Sequence, residues 1–467
     1  MVFADLFFLY IFLPACLLFY FAGKNIKYKN AVLILFSIVF YAWGEPTVVL
    51  LLILSTIVNW GLGLAIDRHR EDKLGKLAVA GSLVYSLGML VIFKYLGFIV
   101  ENLNFILPTD IPVPQITLPI GISFYTFQII SYILDCYWGQ VKVQKNYFKF
   151  LLFVSLFPQL IAGPIVRYSV IENEIDNRKT TITDLAEGSC RFMIGLAKKV
   201  ILANNLWTIV ETFFGQDISG LSVLGTWYTV VVYAMYVYFD FSGYSDMAIG
   251  LGRIFGFHFN ENFTHPFICR NIAEFWQRWH ISLGSFFRDY LLYVPIGGKR
   301  RKYLNLFLVW FSTGLWHGAS WNYIIWGLYF GTFILIEQLV GKKRMKAIPT
   351  VVTHIYSKIV IIIGFGIFYF EDFTQLGNFF KNLVGANGNA FSDTIAAASL
   401  MNNCFLIAAA IIACFPISNA VNKLADKNTN TIAVGQALKV FYCLGLLVVC
   451  TLLLVDATSN PFLYFRF

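Results

Sequence analysis

The sequence predicts an all-α fold, a polytopic helical bundle of about 11–12 membrane spans joined by re-entrant and amphipathic helices. Three observations predict it. Charged residues fill only 13% of the 467 positions and hydrophobic ones fill 58%, whereas a soluble domain carries roughly 25% charge to cover its wetted surface. Apolar runs approaching the ~20 residues that a bilayer-spanning helix needs recur along the whole chain. Lys and Arg gather in short clusters between those runs and alternate with loops that hold almost none. Disorder is excluded as well, because a disordered chain lacks this many apolar and aromatic residues.

Taken in order, the first run, 3–21, has no basic residue ahead of it and no small-residue cleavage site, so it reads as an uncleaved first span. Further runs lie at 31–43, 48–66, 77–98, 118–138, 200–214, 223–239, 304–316, 321–340, 351–370, 401–417 and 433–455. Two stretches depart from the pattern. Residues 148–164 are apolar but carry basic signals at both ends, with Pro158 and Gly163-Pro164 inside, which predicts a segment that dips in and returns. Irregular backbone at that depth survives only against protein or a water-lined cavity. Residues 240–303 form the longest cytoplasm-facing segment, re-entrant or amphipathic. With no internal repeat and no low-complexity tract, 1–467 reads as one integral domain ending in an extracytoplasmic tail, 456–467.

The balance of 35 Lys+Arg against 26 Asp+Glu gives a net charge of +9. In so apolar a chain this excess belongs to cytoplasmic loops, not to a nucleic-acid surface, and nucleic acid is not an expected partner. The clusters Lys24/Lys27/Lys29, Arg68/Arg70/Lys73/Lys76, Lys142/Lys145/Lys149, Lys198/Lys199, Lys299/Arg300/Arg301/Lys302, Lys342/Lys343/Arg344/Lys346 and Lys423/Lys427 fall on one side of the predicted spans. That side is expected to be the cytoplasm, with both termini outside. The eight cysteines include no C-x-x-C pair and read as small buried hydrophobes, neither a zinc site nor a disulfide framework.

Ionisable groups within a membrane domain are functional candidates by default. His69 and His354 adjoin basic loops and read as solvated. His317 ends a run that starts beside the basic cluster at Lys302, and about 15 residues of helix at ~1.5 Å each carry it some 22 Å from that edge. Thr313 and Gly314, one turn back, form a small-residue patch with room for a ligand beside the imidazole. A histidine hydrogen-bonded to a neighbouring helix is the plain alternative to a general base, which burial would help keep neutral. Residues 271–290 read as one amphipathic helix at the cytoplasmic boundary. On its wheel His280 falls at the edge of the apolar face beside Trp276, Leu283 and Phe287, equally a satisfied core histidine or a catalytic partner. Glu274 and Arg278 form an ordinary i,i+4 pair. No metal site is expected, since His258 and His265 stand seven apart without a carboxylate or cysteine at ligand spacing. No G-x-S-x-G, P-loop or H-E-x-x-H occurs, and Gly250-Leu251-Gly252 reads as close helix packing.

Four motifs together resemble the membrane-bound O-acyltransferases. They are Trp316-His317-Gly318 after a span, Phe275-Trp276-Gln277-Arg278-Trp279-His280-Ile281-Ser282-Leu283, the stretch from Pro158-Gln159-Leu160 to Val166-Arg167-Tyr168, and that from Phe239-Asp240-Phe241-Ser242-Gly243-Tyr244 to Gly250. The two chain ends, Met1-Val2-Phe3 and Asn460-Pro461-Phe462-Leu463-Tyr464-Phe465-Arg466-Phe467, are similar to those of the bacterial branch that O-acetylates polysaccharides. The resemblance runs the length of the chain. It implies a helical bundle with a transmembrane tunnel, acetyl-CoA or another acyl thioester as donor with no permanently bound cofactor, His317 as the catalytic histidine and His280 as a second polar residue of the core. It also implies a bacterial cytoplasmic-membrane location, an exported polysaccharide as final acceptor, and an extracytoplasmic acetyltransferase as partner.

Within that frame, Asn271, Ser312 and Thr313 are candidates to stabilise an oxyanion or line the tunnel. Lys299, Arg300, Arg301 and Lys302 are candidates to hold the CoA phosphates. Tyr464, between aromatic anchors, is a candidate acyl relay, against the plainer reading of an interfacial anchor. Acetylation of peptidoglycan or another cell-wall glycan is the nearest alternative function. A transporter of a small solute or lipid intermediate is the alternative of a different class, and it predicts acid/base pairs and repeat symmetry that the sequence does not display.

Overall fold

Short polar side chains start many of the helices. Asn25 accepts a hydrogen bond from the Lys27 N–H ahead of Ile26–Gly44, and Asn146, Asp372 and Asp393 do the same for Tyr147–Ser155, Phe373–Leu383 and Thr394–Asn402. Each satisfies one of the N–H groups that a helix start leaves unbonded. The computed structural model describes residues 1–295, 298–416, 429–455 and Phe462, without the side chains of 429–437. Among the described residues every extended regular element is helical.

Seven helices among the described residues are long and apolar enough to cross a membrane: Ile26–Gly44, Val48–His69, Lys73–Ile106, Ile182–Phe214, Trp321–Val340, Thr350–Tyr369 and Leu438–Val455. Thr394–Asn402 and Cys404–Ala413, bent by 62°, make an eighth if they form one span. The protein is therefore a multi-pass membrane protein. All twelve apolar runs fall largely within helices; some of these are too short to be counted as spans, whereas Val223–Ile254, at 32 residues, is long enough but not apolar enough. Ile122–Trp138 and Lys302–His317, at 17 and 16 residues, stop short of the ~20 that a perpendicular crossing needs.

One predicted loop is a helix. Lys198 and Lys199 belong to the continuous helix Ile182–Phe214 and not to a solvated basic cluster. Lys199 is 3% exposed and pairs at 2.6 Å with the fully buried Asp240. The apolar run at 200–214 marks only the second half of that helix, because its first half is amphipathic. Similarly, Val223–Ile254 continues past Phe239 without a break.

Backbone proximity groups the chain into two compact units, Met1–Phe192 with Tyr244–Glu261, and Met193–Gly243 with Asn262–Phe467. The first holds an aromatic core in which Phe3, Phe8, Phe12, Phe40 and Phe157 meet ring to ring. The proline- and glycine-bearing stretch at 148–164 folds there as Tyr147–Ser155 and the single turn Phe157–Leu160, with the break at Leu156 packed inside protein. The Phe157 N–H at this break donates to Ser37 Oγ at 3.1 Å. Gly250 packs as its sequence suggests: a Cβ there would lie 2.6 Å from the Gly188 carbonyl oxygen.

In the second unit, Lys302–His317 turns at Gly318 and returns as Trp321–Val340. The two helices approach backbone to backbone, since a Cβ on Gly327 would fall 2.3 Å from the Trp310 carbonyl oxygen. Six of the eight cysteines are buried, and no disulfide joins any of the described ones.

Candidate active site

His317 is the last residue of a 16-residue helix that starts at Lys302, so roughly 24 Å of helix separates the basic cluster from the imidazole. The helix ends because Gly318 is extended and the chain must double back. A Cβ on Gly318 would collide with the Tyr323 ring at 2.3 Å, which reserves that position for glycine. His317 is 7% exposed. Its ring stands nearly perpendicular to those of Trp326, Phe368 and Trp316, with centroids 4.8, 5.2 and 4.9 Å away.

The rings of His317, Trp326 and Phe368, but not that of Trp316, belong to a narrow cavity of about 20 Å³, lined also by Val237, Phe241, Phe275, Trp276, Trp279, Phe330 and Phe365. The space suits one or two waters or a group of a few heavy atoms. His317 is the one titratable side chain in this lining.

His280 does not sit in a continuous helix. The backbone breaks at this residue, which takes a left-handed conformation at φ 45°, ψ 54°, between the seven-residue helices Ile272–Arg278 and Ile281–Phe287. The predicted single wheel over 271–290 is therefore wrong after Trp279. Local periodicity missed the break because nothing in the sequence around Trp279-His280 is a helix breaker; the tertiary partner Asn262 imposes it. Asn262 accepts from the Ser282 N–H at 3.1 Å and the Ser282 hydroxyl at 2.9 Å, and its backbone carbonyl accepts from the Ile281 N–H. The Ser282 N–H can only donate, so it fixes Asn262 Oδ1 as the acceptor. His280 Nδ1, 3.2 Å from the same oxygen, then carries the proton, which leaves Nε2 with its lone pair. Burial pushes the His280 imidazole down to about 3, so it is neutral at ordinary pH.

The two histidines flank one indole. Trp316 lies 5.6 Å from His280 and 4.9 Å from His317, ring centre to ring centre. Phe241 packs edge-on against His280 at 4.6 Å and reaches the cavity wall. Sequence reasoning found both histidines but neither Asn262 nor Phe241, which reach the site from other parts of the chain.

The remaining candidates are placed elsewhere. Asn271 caps the helix Ile272–Arg278 by accepting the Glu274 N–H at 2.7 Å. The Thr313 hydroxyl donates to the Val309 carbonyl at 2.7 Å, and Ser312 is half-buried; none of the three lines the cavity. Gly314 leaves no room for a ligand, because its missing Cβ is replaced by the Tyr323 carbonyl, which would stand 2.3 Å away. Lys299, Arg300, Arg301 and Lys302 are exposed at the start of the His317 helix, with Arg300 over the Tyr293 ring at 4.4 Å. Tyr464 lies outside the described residues. Phe462, two positions earlier, is buried, with the Lys199 ammonium 5.9 Å from its ring centre.

An acidic side chain missed by the sequence reading organises this region. Glu337, buried in Trp321–Val340, accepts the backbone N–H groups of Ile272 and Ala273 at 2.7 and 3.0 Å and the Tyr356 hydroxyl at 3.2 Å. It thereby ties the helix that carries Trp276 to the helix that carries Trp326.

A multi-pass helical bundle with a buried histidine beside a small apolar cavity has the makings of a membrane-embedded enzyme that handles a small group. Residues 140–373 match the membrane-bound O-acyltransferase (MBOAT) family. The chain is 40% identical over 383 residues to the probable alginate O-acetylase AlgI of Pseudomonas aeruginosa, covering 80% of this chain and 72% of that one. Against the probable alginate O-acetylase AlgI of Azotobacter vinelandii it is 36% identical, with both chains covered in full. It is 33% identical to the peptidoglycan O-acetyltransferase of Helicobacter pylori over 82% of this chain and 79% of that one. The chain belongs to the membrane-bound O-acyltransferase family and is an O-acyltransferase.

Proposed function

We propose that this protein takes an acetyl group from acetyl-CoA at the cytoplasmic face of the bacterial inner membrane and passes it across for O-acetylation of an exported polysaccharide, with His317 as general base. The observation that carries the reading is His317 itself, the single titratable group in the lining of a cavity sized for a few heavy atoms. A neutral imidazole suits the removal of a hydroxyl proton near pH 7. CoA is too large and too charged to cross a bilayer, so only the acyl group needs to move.

In the reaction, the acceptor hydroxyl oxygen attacks the thioester carbonyl carbon and its proton passes to His317. The C–O ester bond forms, the C–S bond breaks, and the proton goes on to the departing CoA thiolate. His280 is the second histidine of the site, its Nε2 held as an acceptor by the Asn262 hydrogen bond. The exposed cluster Lys299–Lys302 at the far end of the His317 helix supplies charge for the CoA phosphates. Tyr464 is the acyl relay to an extracytoplasmic acetyltransferase that modifies the glycan.

The likeness to alginate O-acetylases over the full chain supports a polysaccharide acceptor. The likeness to a peptidoglycan O-acetyltransferase supports a cell-wall glycan as the second reading. The test uses membrane vesicles that carry the protein together with its extracytoplasmic acetyltransferase, supplied with labelled acetyl-CoA and either polymer as acceptor. Wild type is expected to release free CoA and label one polymer, and His317→Ala to lose about 10²–10⁴-fold in rate. Equal CoA release by both proteins would overturn the role of His317. Labelling of peptidoglycan but not of the polysaccharide would select the second reading.

A further inference from the structure

An acyl-transfer site needs hydrogen-bond donors for the oxygen that becomes negative in the tetrahedral intermediate, and the side chains that sequence suggests for this task are already engaged. Asn271 caps a helix and Thr313 bonds back to Val309. The cavity lining consists of Val, Phe, Trp and His side chains, with no hydroxyl, amide, Lys or Arg. Beside the histidine, its side-chain donors are therefore indoles.

Two of these indoles carry an unused donor. The Nε1–H groups of Trp276 and Trp326 are buried and have no acceptor among the described residues. Trp326 is only 4% exposed. Leaving an N–H buried and unbonded is costly, a cost that phenylalanine in the same place would not carry. The two indoles come from different helices, Ile272–Arg278 and Trp321–Val340. They meet with centroids 5.5 Å apart at 80°, and Trp326 stands 4.8 Å from the His317 ring.

We propose that the indole N–H groups of Trp276 and Trp326 are the donors that stabilise the acyl carbonyl oxygen as the intermediate forms beside His317. This assignment rests on the acyl-transfer reading above. As the hydroxyl oxygen bonds to the carbonyl carbon, the C=O electron pair moves onto oxygen and the two N–H groups bond to it. When the C–S bond breaks the pair returns to C=O, so neither tryptophan gains or loses a proton.

The experiment compares wild type, Trp326→Phe, Trp276→Phe and a protein in which Trp326 is replaced by β-(3-benzothienyl)alanine, which keeps the bicyclic shape and lacks the N–H. Turnover of labelled acetyl-CoA is measured in liposomes, and thermal unfolding is measured in detergent. The expected result is a fall in kcat of about 10²-fold in each variant, the benzothienyl protein included, with KM for acetyl-CoA and the unfolding temperature of the benzothienyl protein unchanged. Wild-type kcat in the benzothienyl protein would overturn the assignment and reduce Trp326 to packing, leaving the acyl-transfer reading intact. Wild-type turnover that does not depend on His317 would overturn that reading and this assignment with it.

Discussion

The carboxylate of Glu337 accepts the backbone N–H of Ile272 at 2.7 Å, joining a buried acid in one long helix to the start of a seven-residue helix that supplies Trp276. Glu337→Ala leaves two backbone donors and the Tyr356 hydroxyl without their acceptor, each loss worth about 1–3 kcal/mol. The expected outcome is a lower unfolding temperature and weak acyl transfer, with Glu337→Gln between the variant and wild type because its amide oxygen keeps one acceptor. Unfolding in detergent and turnover in liposomes measure both, and a Glu337→Ala protein equal to wild type would contradict the tie.

On the proposed reading, one residue of the cavity lining is expected to limit acyl length. Phe330 contacts both Trp276 and Trp326, with ring centroids at 5.0 and 5.4 Å. Truncation by Phe330→Ala opens space in that lining. One methylene in such a pocket is worth about 1–3 kcal/mol, so the ratio of butyryl-CoA to acetyl-CoA turnover should rise at least tenfold. Parallel kcat/KM measurements with the two donors check it, and an unchanged ratio would place the limiting wall elsewhere.

His280 makes stability depend on pH. Its folded pKa of about 3 lies below the ~6.5 of a solvated imidazole, so between these values the unfolded chain binds more protons than the folded one. Stability from this residue is complete above about pH 6.5 and declines as pH falls, with a slope approaching 1.4 kcal/mol per unit. Unfolding temperatures recorded from pH 4.5 to 7.5 should fall more steeply for wild type than for His280→Gln. Parallel curves would show that His280 titrates normally.

Helix crossing at Gly314 and Gly327 tolerates no side chain. Gly314→Ala brings a Cβ to 2.3 Å from the Tyr323 carbonyl oxygen, an overpacking that costs about 1–3 kcal/mol or more. Gly61→Ala serves as the contrast: no atom comes within 4 Å of its Cβ position, and alanine gains roughly 0.5–1 kcal/mol over glycine inside a helix. The unfolding temperatures of the two variants should move in opposite directions.

How much of this was legible follows from the range of the interactions. The apolar runs declared the helices because membrane burial acts on each run by itself, and His317 stood out because a histidine at the end of an apolar run is conspicuous. Lys198/Lys199 misled because a pair of lysines beside an apolar run looks the same whether water or Asp240 receives one of them. The break at His280 was invisible because Asn262, eighteen residues earlier, imposes it through the folded chain. Gly314 was seen as small, yet only the returning helix shows that its space is already filled by the Tyr323 backbone.

The backbone contact at Gly314 and Gly327 also divides the cavity into an anvil and a jaw. Trp326 and Phe330 sit on a 20-residue helix wedged against the His317 helix with no side chain between them at the crossing, so this wall cannot recede without prising two backbones apart. Trp276 and Trp279 hang instead from a short helix and its end, bounded by a knee at His280 and tethered through Glu337. Of the two walls, the one that hangs from the short helix is the easier to displace, and the tether at Glu337 is what resists that displacement.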